Sequence, residues 1–149
     1  MSTSNASTDK VSTENLQHLI EAATNARQCA LARYSNFCVG AALEAEGGVY
    51  TGCNVESAAY EQTICAERVA IWKALSEGER KFRRLCVVVD TERLTPPCGA
   101  CRQVIWEFCG DIPVTLANLR GDTETFQMKE LLPHPFDAGF LEETGAEQK

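Results

Sequence analysis

The stretch "LCVVVDTERLTPPCGACRQVIWEFCGDIPVTLANL", residues 85–119, is the one on which the fold turns. Its opening "LCVVVD" is a continuous apolar run rich in β-branched residues, the pattern of a central strand buried on both faces. Pro96 and Pro97 end the loop that follows. Cys98 to Phe108 then reads as a helix start and body, with Val104, Ile105 and Phe108 apolar and Gly110 at the end. "IPVTLANL" at 112–119 reads as a second strand.

Working outward, "FCVGAALEA" (37–45) is short, apolar and interrupted by glycine, as a strand. Gly47 and Gly48 form a hairpin turn, and "VYTGCNV" (49–55) returns. Between hairpin and central strand, Val69, Ala70, Ile71, Ala74 and Leu75 give a helix from Cys65 with a broad apolar face, stopped by Gly78. Near the N-terminus, Leu16, Leu19, Ile20, Ala23 and Ala26 recur at helical spacing after a cap at Ser12 or Thr13. "DTETFQM" (122–128) reads as a last strand and "KELLPHPF" (129–136) as a short helix broken by Pro133. Residues 1–12 read as a disordered tail, 13–137 as one domain and 138–149 as a C-terminal tail. There is no internal repeat and no linker. A hairpin followed by alternating helices and strands predicts an α/β domain, one mixed sheet with helices on both faces.

The chain has 149 residues, enough to bury a core without crosslinks. Its net charge of −7 and scattered Lys and Arg argue against a nucleic-acid partner and favour a small or neutral substrate. No stretch approaches the ~20 apolar residues of a membrane span. There are eight cysteines. The opening "MSTSNASTDK" is polar and has no signal-peptide core, and Cys38 and Cys86 lie in apolar strand-like runs. Reduced thiols in the cytoplasm are the expectation, and disulfides the alternative.

Cys65 opens one helix, and Cys98 and Cys101 open another. Helix N-termini offer free N–H groups and a positive dipole end, which favour thiolate. A Cys-x-x-Cys at a helix start directs both sulfurs to one side, and Cys65 supplies a third. Zinc takes such ligands, and three protein ligands leave a fourth position open, as in catalytic sites. Glu67, two residues past Cys65, can sit beside that position without ligating and can carry a proton. Arg68 can offset the negative charge of three thiolates. Taken alone, a Cys-x-x-Cys is ambiguous between a redox pair, a metal clip and chance; the redox reading lacks its usual early strand, and a closed structural zinc would take Cys53 as its fourth ligand. His18 and His134 each stand alone and are poorer ligand candidates.

"NVESAAYEQTICAER" (54–68) followed by "PCGACRQ" (97–103) resembles the cytidine deaminases of the small tetrameric type. The wider zinc-deaminase signature, a His or Cys, x, Glu and then Pro-Cys-x-x-Cys, stands here as Cys65-Ala66-Glu67 and Pro97-Cys98-Gly99-Ala100-Cys101. The likeness runs from about Tyr34 to Phe136 and takes in "RYSNFCVGAAL", "GCNVE", "SEG" and "ELLP".

The resemblance implies a five-stranded α/β/α fold and a zinc-dependent hydrolase. It would convert cytidine and 2'-deoxycytidine to uridine and 2'-deoxyuridine, in the cytoplasm, as a homotetramer with shared sites. Cys65, Cys98 and Cys101 would hold one Zn²⁺, and Glu67 would shuttle the proton. Phe37 would stack near the base, Asn54 and Glu56 would hold a ribose hydroxyl, and the Ala66 backbone would bond the pyrimidine. Tyr60 and Phe136 would complete a neighbouring subunit's pocket. Arg33 replaces the family's usual Pro, and Ser57 its usual Asn. These departures open an alternative substrate, such as an aminonucleoside antibiotic.

Overall fold

The structure is a computed structural model that describes residues 5–143, with side chains from residue 14 onward. The elements run α1 (Asn5–Arg27), β1 (Val39–Ala45), β2 (Val49–Cys53), a 3₁₀ turn (Tyr60–Gln62), α2 (Ala66–Ser76), β3 (Phe82–Val89), α3 (Gly99–Cys109), β4 (Pro113–Ala117), β5 (Thr123–Gln127), α4 (Met128–Leu131) and α5 (Gly139–Glu142). The five strands make one sheet in the order β2-β1-β3-β4-β5. The β3–β4 pair is parallel and the other pairs are antiparallel. The mixed sheet expected from the hairpin and the strand–helix–strand unit is therefore present.

Each face of the sheet buries a different set of side chains, because successive strand residues point opposite ways. Ala42 of β1 and Cys86 and Val88 of β3 pack under Leu19 and Ala23 of α1. Ala41 and Leu43, with Leu85 and Val87, pack under Ala70 and Ile71 of α2 and Ile105 of α3. β3 is buried on both faces from Leu85 to Val89, as its unbroken apolar run predicts. Trp72 meets Phe108 edge to face at 5.3 Å, and Trp106 packs against the core, so both tryptophans serve packing.

Two glycines let helices press onto the hairpin. A Cβ on Gly40 would strike the α1 backbone at Ala23 and would lie 2.6 Å from Arg27 N. A Cβ on Gly52 would lie 2.6 Å from Ala70 N and 2.9 Å from Val69 Cβ. The second approach brings the start of α2 against the end of β2.

α1 corrects one expectation. It begins at Asn5, ahead of any cap at Ser12 or Thr13, so residues 5–12 are helical and not tail. No Pro or Gly lies between Asn5 and Arg27, and each residue added to an existing helix gains a hydrogen bond without a new nucleation cost. Residues 1–4 and 144–149, in the segments read as tails, lie outside the described residues. Among the described residues no helix is long and apolar enough to cross a membrane.

Candidate active site

Cys65 is the N-cap of α2 and Cys98 the N-cap of α3, both with extended backbone. Cys101 lies in the first turn of α3 and is fully buried. The two helices pack on the same face of the sheet, so their starts converge. The sulfurs of Cys65, Cys98 and Cys101 all lie within 4.8 Å of one another, and the Cys65–Cys98 pair is at 3.9 Å. Zinc–sulfur bonds of ~2.3 Å at tetrahedral angles set sulfurs ~3.8 Å apart, so this triad fits the ion. The Pro97 carbonyl just before Cys98 accepts a bond from Arg102 Nε at 2.8 Å, and Arg102 Nη1 donates to the Leu131 carbonyl at 2.7 Å. That clamp, which ties the α3 start to α4, has no signature in the sequence.

The electrostatics suit a cation. The Cys65 thiol is drawn down to about 5, chiefly by its hydrogen bond with Cys101, with help from the Arg68 guanidinium and against the effect of burial. The same contact, with burial, pushes the Cys101 thiol upward. Arg68 Nη2 donates to Cys65 Sγ at 3.6 Å. Glu67 is only 4% exposed, although a helix glutamate is ordinarily solvated. Burial pushes its carboxyl up to about 7, so it can both take and give a proton near neutrality.

Cys53 does not close this set. Among the described residues the only such cluster is Cys65, Cys98 and Cys101. Gly52 faces α2, so the alternation of the strand turns Cys53 toward α1, where its thiol is raised first by burial and then by the neighbouring Cys29 and Cys38. A zinc closed by Cys53 is thus corrected to a three-thiol site. His18 and His134 also stand outside the cluster. All eight thiols are free, so no disulfide forms.

A cavity of about 360 Å³ opens on Cys65, Cys98 and Glu67 at one end and on Phe37, Asn54 and Glu56 at the other. Val87 and Val89 of the central strand, with Ile64, contribute apolar wall to it. β2 is prolonged past Cys53 by short bridges that join the two ends. Val55 and Ile64 exchange backbone bonds at 3.0 Å, and Leu31 N donates to the Asn54 carbonyl at 3.0 Å. Ile64 immediately precedes Cys65, so Asn54, Glu56 and the first thiol share one framework.

Asn54 and Glu56 use much of their bonding capacity on the protein itself. Asn54 Oδ1 accepts from Val39 N at 2.8 Å, and Nδ2 donates to the Phe37 carbonyl at 2.7 Å. Glu56 Oε2 accepts from Tyr34 N at 2.7 Å and Ser35 N at 3.1 Å, while Oε1 accepts from the Ser35 hydroxyl. These bonds hold Glu56 ionised, its carboxyl lowered first by Ser35 and then by Tyr34 N–H. Asn36, in the left-handed region at φ 58°, turns the segment so that Phe37 reaches the cavity.

Ala66 is fully buried as the first residue of α2, where its N–H has no acceptor within the helix. Tyr60 is 76% exposed and lines a neighbouring hollow of about 330 Å³ with Tyr34, Ser35, Glu56 and Thr63. Phe136 is exposed, stacked on Phe140 at 5.6 Å, and its carbonyl accepts from Gln103 Nε2 at 2.7 Å. Neither aromatic lines the thiol-bearing cavity of its own chain.

A family model described as "Cytidine and deoxycytidylate deaminase zinc-binding region" matches residues 13–116. The chain belongs to the cytidine deaminase family. It is 53% identical over 124 residues to the cytidine deaminase of Sporosarcina psychrophila, covering 82% of this chain and 91% of that protein. It is 51% identical over 124 residues to the cytidine deaminase of Halalkalibacterium halodurans, covering 82% and 94%. The crystal structure of the Burkholderia pseudomallei cytidine deaminase superimposes with a TM-score of 0.78 at 47% identity, over 80% of this chain and 98% of that one. The matched zinc-binding region includes Cys65, Cys98 and Cys101, whose convergent sulfurs support a zinc site.

Proposed function

We propose that the chain catalyses the zinc-dependent hydrolytic deamination of cytidine and 2'-deoxycytidine, yielding uridine or 2'-deoxyuridine and ammonia. The observation that carries this reading is one cavity with a buried carboxylate beside three convergent thiols at one end and an aromatic, an amide and a carboxylate at the other. Cys65, Cys98 and Cys101 hold the ion. Zinc, when bound, supplies a Lewis acid that makes a water molecule acidic near neutral pH.

Glu67 takes a proton from the attacking water and passes it to the ring nitrogen beside the amino-bearing carbon. It then takes the second proton, from the hydroxyl now bonded to that carbon, and delivers it to the departing amine, so that a carbonyl forms as ammonia leaves. Burial keeps its carboxyl near the working pH for both transfers. Arg68 balances the thiolate charge through Cys65. The Ala66 N–H bonds the pyrimidine, Phe37 stacks near it, and Asn54 and Glu56 offer their remaining bonding positions to ribose hydroxyls. A site that grips the sugar disfavours the free base, because its polar groups would be left unpaired.

Tyr60 and Phe136 complete a neighbouring subunit's pocket in a cytoplasmic homotetramer, a reading supported by their exposure on the surface of the chain. The test is ammonia release from cytidine by purified protein, with zinc counted in the same sample. Turnover with about one zinc per chain is the expected result. Zinc without turnover of cytidine would overturn the substrate assignment and direct the assay to other amino-bearing nucleosides.

A further inference from the structure

Ser35 stands in the family-like segment "RYSNF" without an assigned role, yet it touches both substrate-facing groups at the sugar end. Its hydroxyl donates to Glu56 Oε1, and its oxygen accepts from Phe37 N at 3.0 Å. Its own N–H donates to Glu56 Oε2 at 3.1 Å. A hydroxyl has one proton to give. With the Phe37 N–H directed at its oxygen, that proton goes to Glu56.

The consequence falls on Glu56. An ionised carboxylate has about four acceptor positions. Tyr34 N, Ser35 N and Ser35 Oγ occupy three of them, and Oε2 carries two of those bonds. The remaining position is on Oε1, the oxygen that Ser35 holds from one side. Glu56 and Ser35 both line the thiol-bearing cavity and the adjoining hollow, so Glu56 stands at their junction. Without the Ser35 hydroxyl, Oε1 loses its fixed bond and the Phe37 N–H loses its acceptor.

We propose that Ser35 is a positioning residue for substrate selection, which aims the one free acceptor of Glu56 at a sugar hydroxyl and ties that aim to the placement of Phe37. This rests on the nucleoside reading above and deepens it. Ser35→Ala should raise KM for cytidine about tenfold or more, as for loss of a hydrogen bond to a charged group, with kcat within about twofold. The preference for cytidine over 2',3'-dideoxycytidine, read as a ratio of kcat/KM, should fall by a similar factor. Ser35→Thr, which keeps the hydroxyl, should restore both.

Zinc content and thermal midpoint, measured on each variant, should match the parent. Should Ser35→Ala not purify folded, Ser35→Cys, which gives up the strong donor, carries the same expectation. An unchanged KM and sugar preference in Ser35→Ala would overturn the inference. So would an equal loss on cytidine and the dideoxynucleoside, since that is general damage. Glu56→Gln separates the two levels. If it raises KM for cytidine and Ser35→Ala does not, the Ser35 inference alone fails. If Glu56→Gln leaves KM unchanged, sugar recognition by Glu56 fails, and this inference with it.

Discussion

At one end of the cavity, Cys65, Cys98 and Cys101 are placed by backbone: two helix starts packed on a common sheet face bring the sulfurs together. At the other end, Phe37 stands on a connecting segment held by side chains, with Asn54, Glu56 and Ser35 bonded to its backbone. The metal end inherits the rigidity of the core, because moving one thiol means moving a helix packed on β3. At the Phe37 end, Tyr34 to Phe37 is exposed and belongs to no helix or strand, so bonds from Asn54, Glu56 and Ser35 hold it in place of helix packing. In the proposed function, the metal chemistry sits on the rigid elements, and sugar recognition sits on the connecting segment and the residues that hold it.

The sharpest way to break this comparison is at the metal end. Cys101→Ala removes a buried ligand and should lose both bound zinc and turnover, with a fall of at least about 10⁶-fold if activity drops to background. Metal analysis alongside the ammonia assay checks it, and turnover without zinc would undo the rigid-end account. Glu67→Gln comes next. It should keep about one zinc per chain and lower kcat by about 10²–10⁴, the range of general acid–base catalysis. A fully active Glu67→Gln enzyme would show that the proton travels by another route.

The Phe37 end should yield smaller effects. Asn54 is buried and carries one bond to the segment, at the Phe37 carbonyl, and one to Val39 N at the start of β1. Asn54→Ala should destabilise the fold by about 1–3 kcal/mol, because the Phe37 carbonyl and Val39 N–H lose their partner. It should also raise KM more than it lowers kcat. Denaturant titration with steady-state kinetics tests both parts, and an unchanged unfolding midpoint would contradict the buttressing role. Smallest of all is Cys53→Ser. Its thiol faces α1, so the zinc count should not change; loss of the metal would restore Cys53 as a ligand.

The hairpin, the strand–helix–strand unit and the central strand were legible because each rests on a local pattern. β3 is the clearest case: it is uniformly apolar because both its faces are covered. The cysteines at the two helix starts were legible for the same reason, since capping positions and glycine stops mark where helices begin and end. The start of α1 was not, because the mostly polar residues from Asn5 to Ser12 extend an existing helix without an apolar stripe to show it. Nor was the Arg102 clamp, whose partners, Pro97 and Leu131, lie far apart in sequence.

By itself, the sequence determined which residue types are available, their order along the chain and which of them open helices. Those properties depend on neighbours a few residues away. Only the tertiary structure decided that three thiols from two helices share one point, that Cys53 turns to the opposite face, and that burial makes Glu67 titrate near neutrality. It also decided that Asn54 and Glu56 hold the segment bearing Phe37 as well as facing the cavity. These outcomes depend on helix packing and on desolvation by distant residues, and no local pattern encodes either.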